Sequence, residues 1–130
     1  MKTVWLDRTL TQCAYYYCLI LREEDFFAEL RRMKLPECRW GPFLTPHSHA
    51  TTHHFEHDGK MIAIVCLDAE LATTKTGCQV AALLVHEAVH IWQRHAAYIG
   101  AHNDHGDEEE AYAIQNITQS LMESYAEQTK

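Results

Sequence analysis

The sequence lacks the features that mark disulfide-rich, zinc-finger and nucleic-acid-binding proteins. It has five cysteines, an odd number with no C-x-x-C pair, so neither a disulfide framework nor a zinc finger is expected. Reduced thiols are typical of the cytosol, which predicts a cytoplasmic protein. Acidic residues outnumber basic ones by 18 to 11, and the net charge of −7 argues against a nucleic-acid partner bound through its phosphates.

Long apolar runs are also missing. The run at residues 13–21 is too short to cross a bilayer and has charged residues on both sides, so neither a membrane span nor a signal peptide is expected. No internal repeat or low-complexity segment is present. With 130 residues, of which 47% are hydrophobic, the chain is predicted to form a single domain over residues 1–130. The oligomeric state stays open.

One stretch carries a recognisable chemical motif. Residues 81–94 read AALLVHEAVHIWQR and contain His86, Glu87 and His90 in the pattern H-E-x-x-H. Residues four apart lie on one face of a helix, so both imidazoles can bind one metal ion, and neutral imidazole suits Zn²⁺. Glu87 lies beside them, where a carboxylate can act as general base on a metal-activated water. Two imidazoles and a carboxylate in so apolar a helix are costly unless something satisfies them, which disfavours a purely structural role.

A catalytic zinc site needs a third protein ligand, because three ligands and a water are usual. Three adjacent glutamates open a second predicted helix downstream. Adjacent helical residues point about 100° apart, so only one of the three can bind the metal. The candidates are Glu108, Glu109, Glu110, His95, His102 and His105.

The motif followed by Glu108-x-x-Ala111 resembles the gluzincin metallopeptidases, in which the third ligand is the first Glu of an E-x-x-A-D or E-x-x-A-N helix. The resemblance implies that Glu108 is the third zinc ligand, although Tyr112 stands where the family has Asp or Asn. The thermolysin-type spacing selects Glu110 instead, with Ile114 where Asp is expected. The small Ala111 is expected to let the two helices approach closely.

The chain also resembles small zincin-like proteins encoded in phages and prophages, whose similar helix–loop–helix ends in E-A-Y-A-I-Q. This resemblance covers most of the chain. The resemblance to the gluzincins implies a zinc-dependent metallopeptidase acting on a peptide or protein substrate, whereas the resemblance to the phage-encoded proteins implies no known substrate. No membrane partner is expected. Glu87 would deprotonate the zinc-bound water that attacks the peptide carbonyl and would pass the proton to the leaving amine. The oxyanion donor stays open among Tyr98, Tyr112, His102 and His105.

Two other functions remain open. A zinc-stabilised binding or structural protein without turnover would fill the fourth metal position with a protein group such as His95, His102 or His105. A deformylase-like amidase would use Cys66 as a ligand upstream of the motif. Cys66 alternates with Ile62 and Ile64 on a predicted buried strand, so core packing explains it better.

The predicted elements indicate an α+β fold. Residues 23–34 have the pattern of an amphipathic helix that stops before Pro36, and residues 14–21 fit either a strand or the start of a helix. Asp58-Gly59 separates two strands at residues 52–57 and 60–67, which predicts a hairpin with the second strand central and the first, histidine-rich one at an edge.

The remaining residues complete the predicted fold. Helices are expected at residues 77–98, capped by Thr74 or Thr76, and at residues 107–127. The predicted fold is a minimal zincin-like domain, in which a small antiparallel sheet packs on the H-E-x-x-H helix and the glutamate-bearing helix lies beside it. The edge strand would hold a substrate peptide as an added strand.

Overall fold

The computed structural model describes residues 2–6, 15–99 and 107–130. No helix among these residues is long and apolar enough to span a membrane. The three predicted helices are confirmed, and the one predicted at residues 77–98 has the predicted bounds. The elements are β1 (Trp5–Leu6), β2 (Tyr16–Ile20), α1 (Glu23–Arg32), a 3₁₀ turn (Glu37–Arg39), β3 (Ala50–His57), β4 (Lys60–Leu67), α2 (Leu71–Thr74), α3 (Gly77–Tyr98) and α4 (Asp107–Gln128).

The sheet has the strand order β1-β2-β4-β3, so β4 is internal and β3 is at the edge, as predicted. β3 and β4 form the predicted hairpin, in which His57 pairs with Lys60 across a two-residue turn. Asp58 and Gly59 both have positive φ angles, +52° and +73°. This conformation matches the right-handed twist of the two strands, and Asp-Gly adopts it readily.

The prediction of an antiparallel sheet is wrong for the central pair of strands. β2 runs parallel to β4, from Tyr16 opposite Ile62 to Ile20 opposite Cys66, whereas the two outer pairs are antiparallel. Parallel neighbours need a long crossover, and here α1 and β3 lie between the two strands in the sequence. Hairpin signals are local, so the sequence pattern revealed the β3–β4 pair and not the β2–β4 pair.

Helices cover both faces of the sheet. On β4, Ile62, Ile64 and Cys66 pack towards α1, in a cluster that includes Phe26 and Leu30. The alternate residues of β4, residues 63, 65 and 67, pack towards α3 and α4. A strand covered on both faces reads as a continuous apolar run, which is the pattern of residues 61–67. The domain is therefore an α+β structure of three layers with a mixed four-stranded sheet.

The start of α3 is fixed by a capping box. The Thr76 hydroxyl accepts from the Gln79 amide at 3.1 Å, and the Gln79 side-chain oxygen accepts from the Thr76 amide at 2.9 Å. Downstream, Leu84 and Ile91 face the core. This helical phase leaves His86 and His90 on the exposed face.

α4 packs on α3 through a stripe of small and apolar residues. Ala113 is fully buried against Trp92 and Ala96 of α3, and Ile117 continues the buried stripe. The prediction that Ala111 lies at this contact is wrong, because Ala111 is exposed. Two residues along a helix turn the side chain by about 200°, so placing Ala113 in the contact turns Ala111 away from it.

Candidate metal centre

α3 directs the two imidazoles of the motif at one another. The ring centroids of His86 and His90 are 4.7 Å apart, and their Nε2 atoms are 3.0 Å apart. Two nitrogens that each lie about 2.0–2.1 Å from one tetrahedral zinc ion are about 3.3 Å apart. Both side chains are exposed. The pair therefore fits two ligands of one ion that solvent can reach.

Gln93 sets the orientation of one imidazole. Its Oε1 lies 3.3 Å from Nδ1 of His90, one turn further along the same helix. An amide oxygen can only accept, so this contact favours a proton on Nδ1 and leaves the Nε2 lone pair free. Metal-binding histidines usually donate their second N–H in this way. The role of Gln93 was not predicted from the sequence, although its i+3 spacing from His90 could have indicated a contact between the two side chains.

Glu87 points away from solvent, towards the sheet. Its side chain is 4% exposed, and its Oε2 accepts a short hydrogen bond from the Thr52 hydroxyl of β3. Glu87 follows His86 by one position, which turns its side chain about 100° around the helix axis. The carboxylate therefore lies between α3 and the edge strand, fixed by a residue from the opposite wall.

A cleft of about 510 Å³ runs between α3 and the edge strand. The α3 wall carries both imidazoles, the proposed base and the turn that follows them, and the facing wall is rich in hydroxyl groups. The described residues that line the cleft are Thr45, Ala50, Thr51, Thr52, His54, His86, Glu87, His90, Gln93, Arg94 and Ala97.

The structure does not bring Glu108 to the two imidazoles. Among residues 2–6, 15–99 and 107–130, no three His, Cys, Asp or Glu side chains form a group that could hold a metal ion. Glu108 is exposed and shares its helix face with Ala111 and Gln115, which are also exposed. Glu110 is half-buried, on the stripe that continues through Ala113. The third ligand therefore stays a prediction, and the phase of α4 favours Glu110.

The other residues considered for the site lie elsewhere. His95 is 2% exposed and packs against Trp92, so it belongs to the interior of the domain and not to the cleft. Tyr98 and Tyr112 are both exposed and do not line the cleft. Residues 102 and 105 lie outside the described residues, so their predicted roles stay predictions.

Cys66 occupies the interior, as the strand pattern indicated. It is fully buried on the α1 face of the sheet, opposite to α3. Burial raises the pKa of its thiol far above the usual range, and the negative charge of Glu87 adds to this. The deformylase-like alternative needs a thiolate beside the two imidazoles, and this thiol is neither ionised nor on that face. The four described cysteines are free.

His53 and His54 of the edge strand point to opposite faces of the sheet. His53 stacks on Phe55 at 6.2 Å between ring centroids and lies 4.7 Å from Phe26, with Nε2 3.1 Å from a backbone oxygen. His54 faces the cleft, packs edge-on to Tyr15, and has a buried Nδ1 without a partner among the described residues. Burial lowers the pKa of His54 to about 4, and the positive charge of Arg94 adds to this.

The site thus combines a converging imidazole pair, a buried carboxylate next to it and an edge strand across the cleft. The features come from α3 and β3, and the segment before β3 adds Thr45 to the lining of the cleft. No model of a known protein family, no curated protein and no solved structure matches the chain. Any assignment of function therefore depends on the chemistry of these side chains.

Proposed function

We propose that the protein is a zinc-dependent metallopeptidase with a minimal zincin-like fold, in which Glu87 is the general base. The observation that carries the proposal is the convergence of the two imidazoles, with Nε2 atoms 3.0 Å apart, beside a buried carboxylate. A hydrogen bond between the two imidazoles would also explain the convergence, but it has no need of the neighbouring carboxylate. A hydrolytic metal site needs both.

In this proposal His86 and His90 hold the metal together with one carboxylate of α4. The resemblance to gluzincins favours Glu108 for that role. The half-buried position of Glu110 on the α3-facing stripe favours Glu110 instead. When bound, zinc would polarise the substrate carbonyl and make water more acidic. The Gln93 contact keeps His90 in the tautomer that a metal needs.

Glu87 moves the proton. Its Oε2 is engaged by the Thr52 hydroxyl, so Oε1 is the oxygen that takes the proton from the attacking water and returns it to the leaving amine. A carboxylate fixed on one oxygen needs little reorganisation to do this. Thr52 is thus a positioning residue, which holds the base from the opposite wall of the cleft.

The edge strand accounts for the substrate class. Among the strands that the structure describes, β3 pairs with β4 alone, and residues of β3 line the cleft. An extended peptide can add to such an edge through main-chain hydrogen bonds, which places a peptide bond near the metal helix without requiring a particular side chain. This geometry suits a peptide better than a compact small molecule.

The test combines metal content with hydrolysis. We expect one tightly bound zinc ion per chain and cleavage of a mixed peptide library by the zinc-loaded protein, measured by mass spectrometry. Glu87→Gln should keep the zinc and lower the rate by about 10²–10⁴-fold, the usual contribution of a general base. Glu24→Gln, an exposed position on α1, is the matched control and should cleave like the parent.

Each other outcome is informative. If Glu87→Gln cleaves as fast as the parent, Glu87 is not the base. If the parent binds zinc tightly and cleaves no peptide, the site is structural, which is the rival function left open by the sequence. If the parent binds no zinc, the proposal fails altogether.

A further inference from the structure

We infer that the cleft selects peptides with a carboxylate close to the scissile bond, and that Arg94 recognises it. This inference rests on the proposed function, because it names the substrate class of the same site. Arg94 follows His86 and His90 at the same four-residue spacing. A rise of 1.5 Å per residue places its Cα about 6 Å beyond that of His90 along the helix. Its side chain lines the same cleft.

The charge of Arg94 has no counterpart in the part of the chain that the structure describes. The ion pairs between described residues involve Arg22, Arg32, His57 and Lys130, and Arg94 takes part in none of them. Other exposed basic residues, such as Arg31 and Arg39, also appear in none of these ion pairs, and Arg94 differs from them in lining the cleft. A guanidinium is a planar fork of donors that matches a carboxylate with two parallel hydrogen bonds.

No lysine or second arginine lines the cleft among the described residues. The carboxylate among these lining residues is that of Glu87, which is buried against Thr52. His54, across the cleft from Arg94, is neutral there because its ring is largely buried. The zinc ion of the proposed function would be a second positive centre, and replacing Arg94 leaves its ligands in place, so one substitution isolates the contribution of Arg94.

The backbone of Arg94 contacts the buried side chain of Tyr15, which directly precedes strand β2. The hydroxyl of the fully buried Tyr15 donates to the Arg94 carbonyl oxygen at 3.5 Å, and the Tyr15 ring packs edge-on to His54. This contact is long for a hydrogen bond, and the burial of Tyr15 beside it adds packing between the sheet and the last turns of α3. A backbone held in one position limits the positions that the long Arg94 side chain can reach, which favours a defined binding position for its charge.

The spacing limits where the carboxylate lies in the substrate. An extended peptide advances about 3.3 Å per residue, so the 6 Å between His90 and Arg94 corresponds to about two residues. The carboxylate can be an Asp or Glu side chain near that position or the free C-terminus of a short peptide. Both present the same group to the guanidinium, and matched peptides separate them.

The experiment measures binding apart from hydrolysis. Fluorescent peptides of otherwise identical sequence carry Glu or Gln at one of two central positions about four residues apart, with a free or amidated C-terminus. Their affinities for the Glu87→Gln chain, with and without zinc, are measured by fluorescence anisotropy. We expect the acidic peptides to bind about tenfold more tightly. Adding Arg94→Gln should abolish this preference, and Arg31→Gln, an exposed position on α1, should keep it.

The failures are distinguishable. Equal binding of Glu and Gln peptides, or a preference that survives Arg94→Gln, overturns the inference even if the parent hydrolyses peptides. A charge preference that depends on Arg94 without any hydrolysis supports the inference and removes the proposed reaction. If Arg94→Gln, in the active chain, slows cleavage of all peptides equally, Arg94 stabilises the reaction itself, and the inference about selectivity is wrong.

Discussion

Replacing Thr52 by valine removes the hydroxyl that donates to Glu87 and leaves a side chain of almost the same shape. A hydrogen bond to a charged group contributes about 1.5–3 kcal/mol, and the carboxylate is only 4% exposed, so water replaces it poorly. We expect the free energy of unfolding to fall by about 2 kcal/mol. An unfolding entropy of about 2.1 cal/mol/K per residue then predicts a Tm about 7 °C lower.

The assay is a double-mutant cycle followed by urea unfolding at pH 7. Thr52→Val and Glu87→Gln are made singly and together, and we expect a coupling of about 1–2 kcal/mol between them. Thr52→Ser keeps the hydroxyl and should restore most of the loss. Single effects that add to within about 0.5 kcal/mol would refute the reasoning, because the contact would then contribute nothing to stability.

Three further predictions concern other residues. Glu110→Gln should weaken zinc binding more than Glu108→Gln, by at least about 100-fold for a lost direct ligand, in competition with a chelating dye. The metal-free protein should lose stability as the pH falls from about 6.5 to about 4, because His54 binds its proton with a pKa of about 4 when folded but about 6.5 when unfolded. Cys18 and Cys66 should resist alkylation in the native protein, because both are fully buried and burial raises both thiol pKa values.

Each of these measurements has a matched control. A larger loss of zinc affinity in Glu108→Gln would support the gluzincin spacing over the phase of α4. His54→Asn should flatten the pH dependence of the unfolding midpoint, and an unchanged slope would show that His54 does not cause it. Cys38 and Cys78 are exposed and should be alkylated first in site-resolved mass spectrometry.

The local parts of the fold were predictable because their signals are local. Asp58-Gly59 specifies a tight hairpin turn whatever lies beyond the two strands. Thr76 and Gln79 begin α3 by satisfying its first free amides, so the bounds of that helix follow from a short stretch. The motif on α3 then places His86 and His90 on one face through helical geometry alone.

The rest depends on contacts between distant segments, which periodicity does not encode. The parallel pairing of β2 with β4 and the choice of Ala113 over Ala111 in the helix contact are both of this kind. So is the hydrogen bond from Thr52 to Glu87, which joins residues 35 positions apart. Arg94 lies on the same helix as the motif, but its place in the cleft depends on how α3 packs beside β3.

The parallel pairing of β2 with β4 has a consequence for biosynthesis. A ribosome releases the apolar strand Tyr16–Ile20 well before its partner Lys60–Leu67 has been made. In that interval the nascent chain exposes an apolar strand without its partner strand, and exposed apolar strands promote aggregation or binding by chaperones. Productive expression of this protein should therefore respond to translation speed and to chaperone supply more strongly than its modest size suggests.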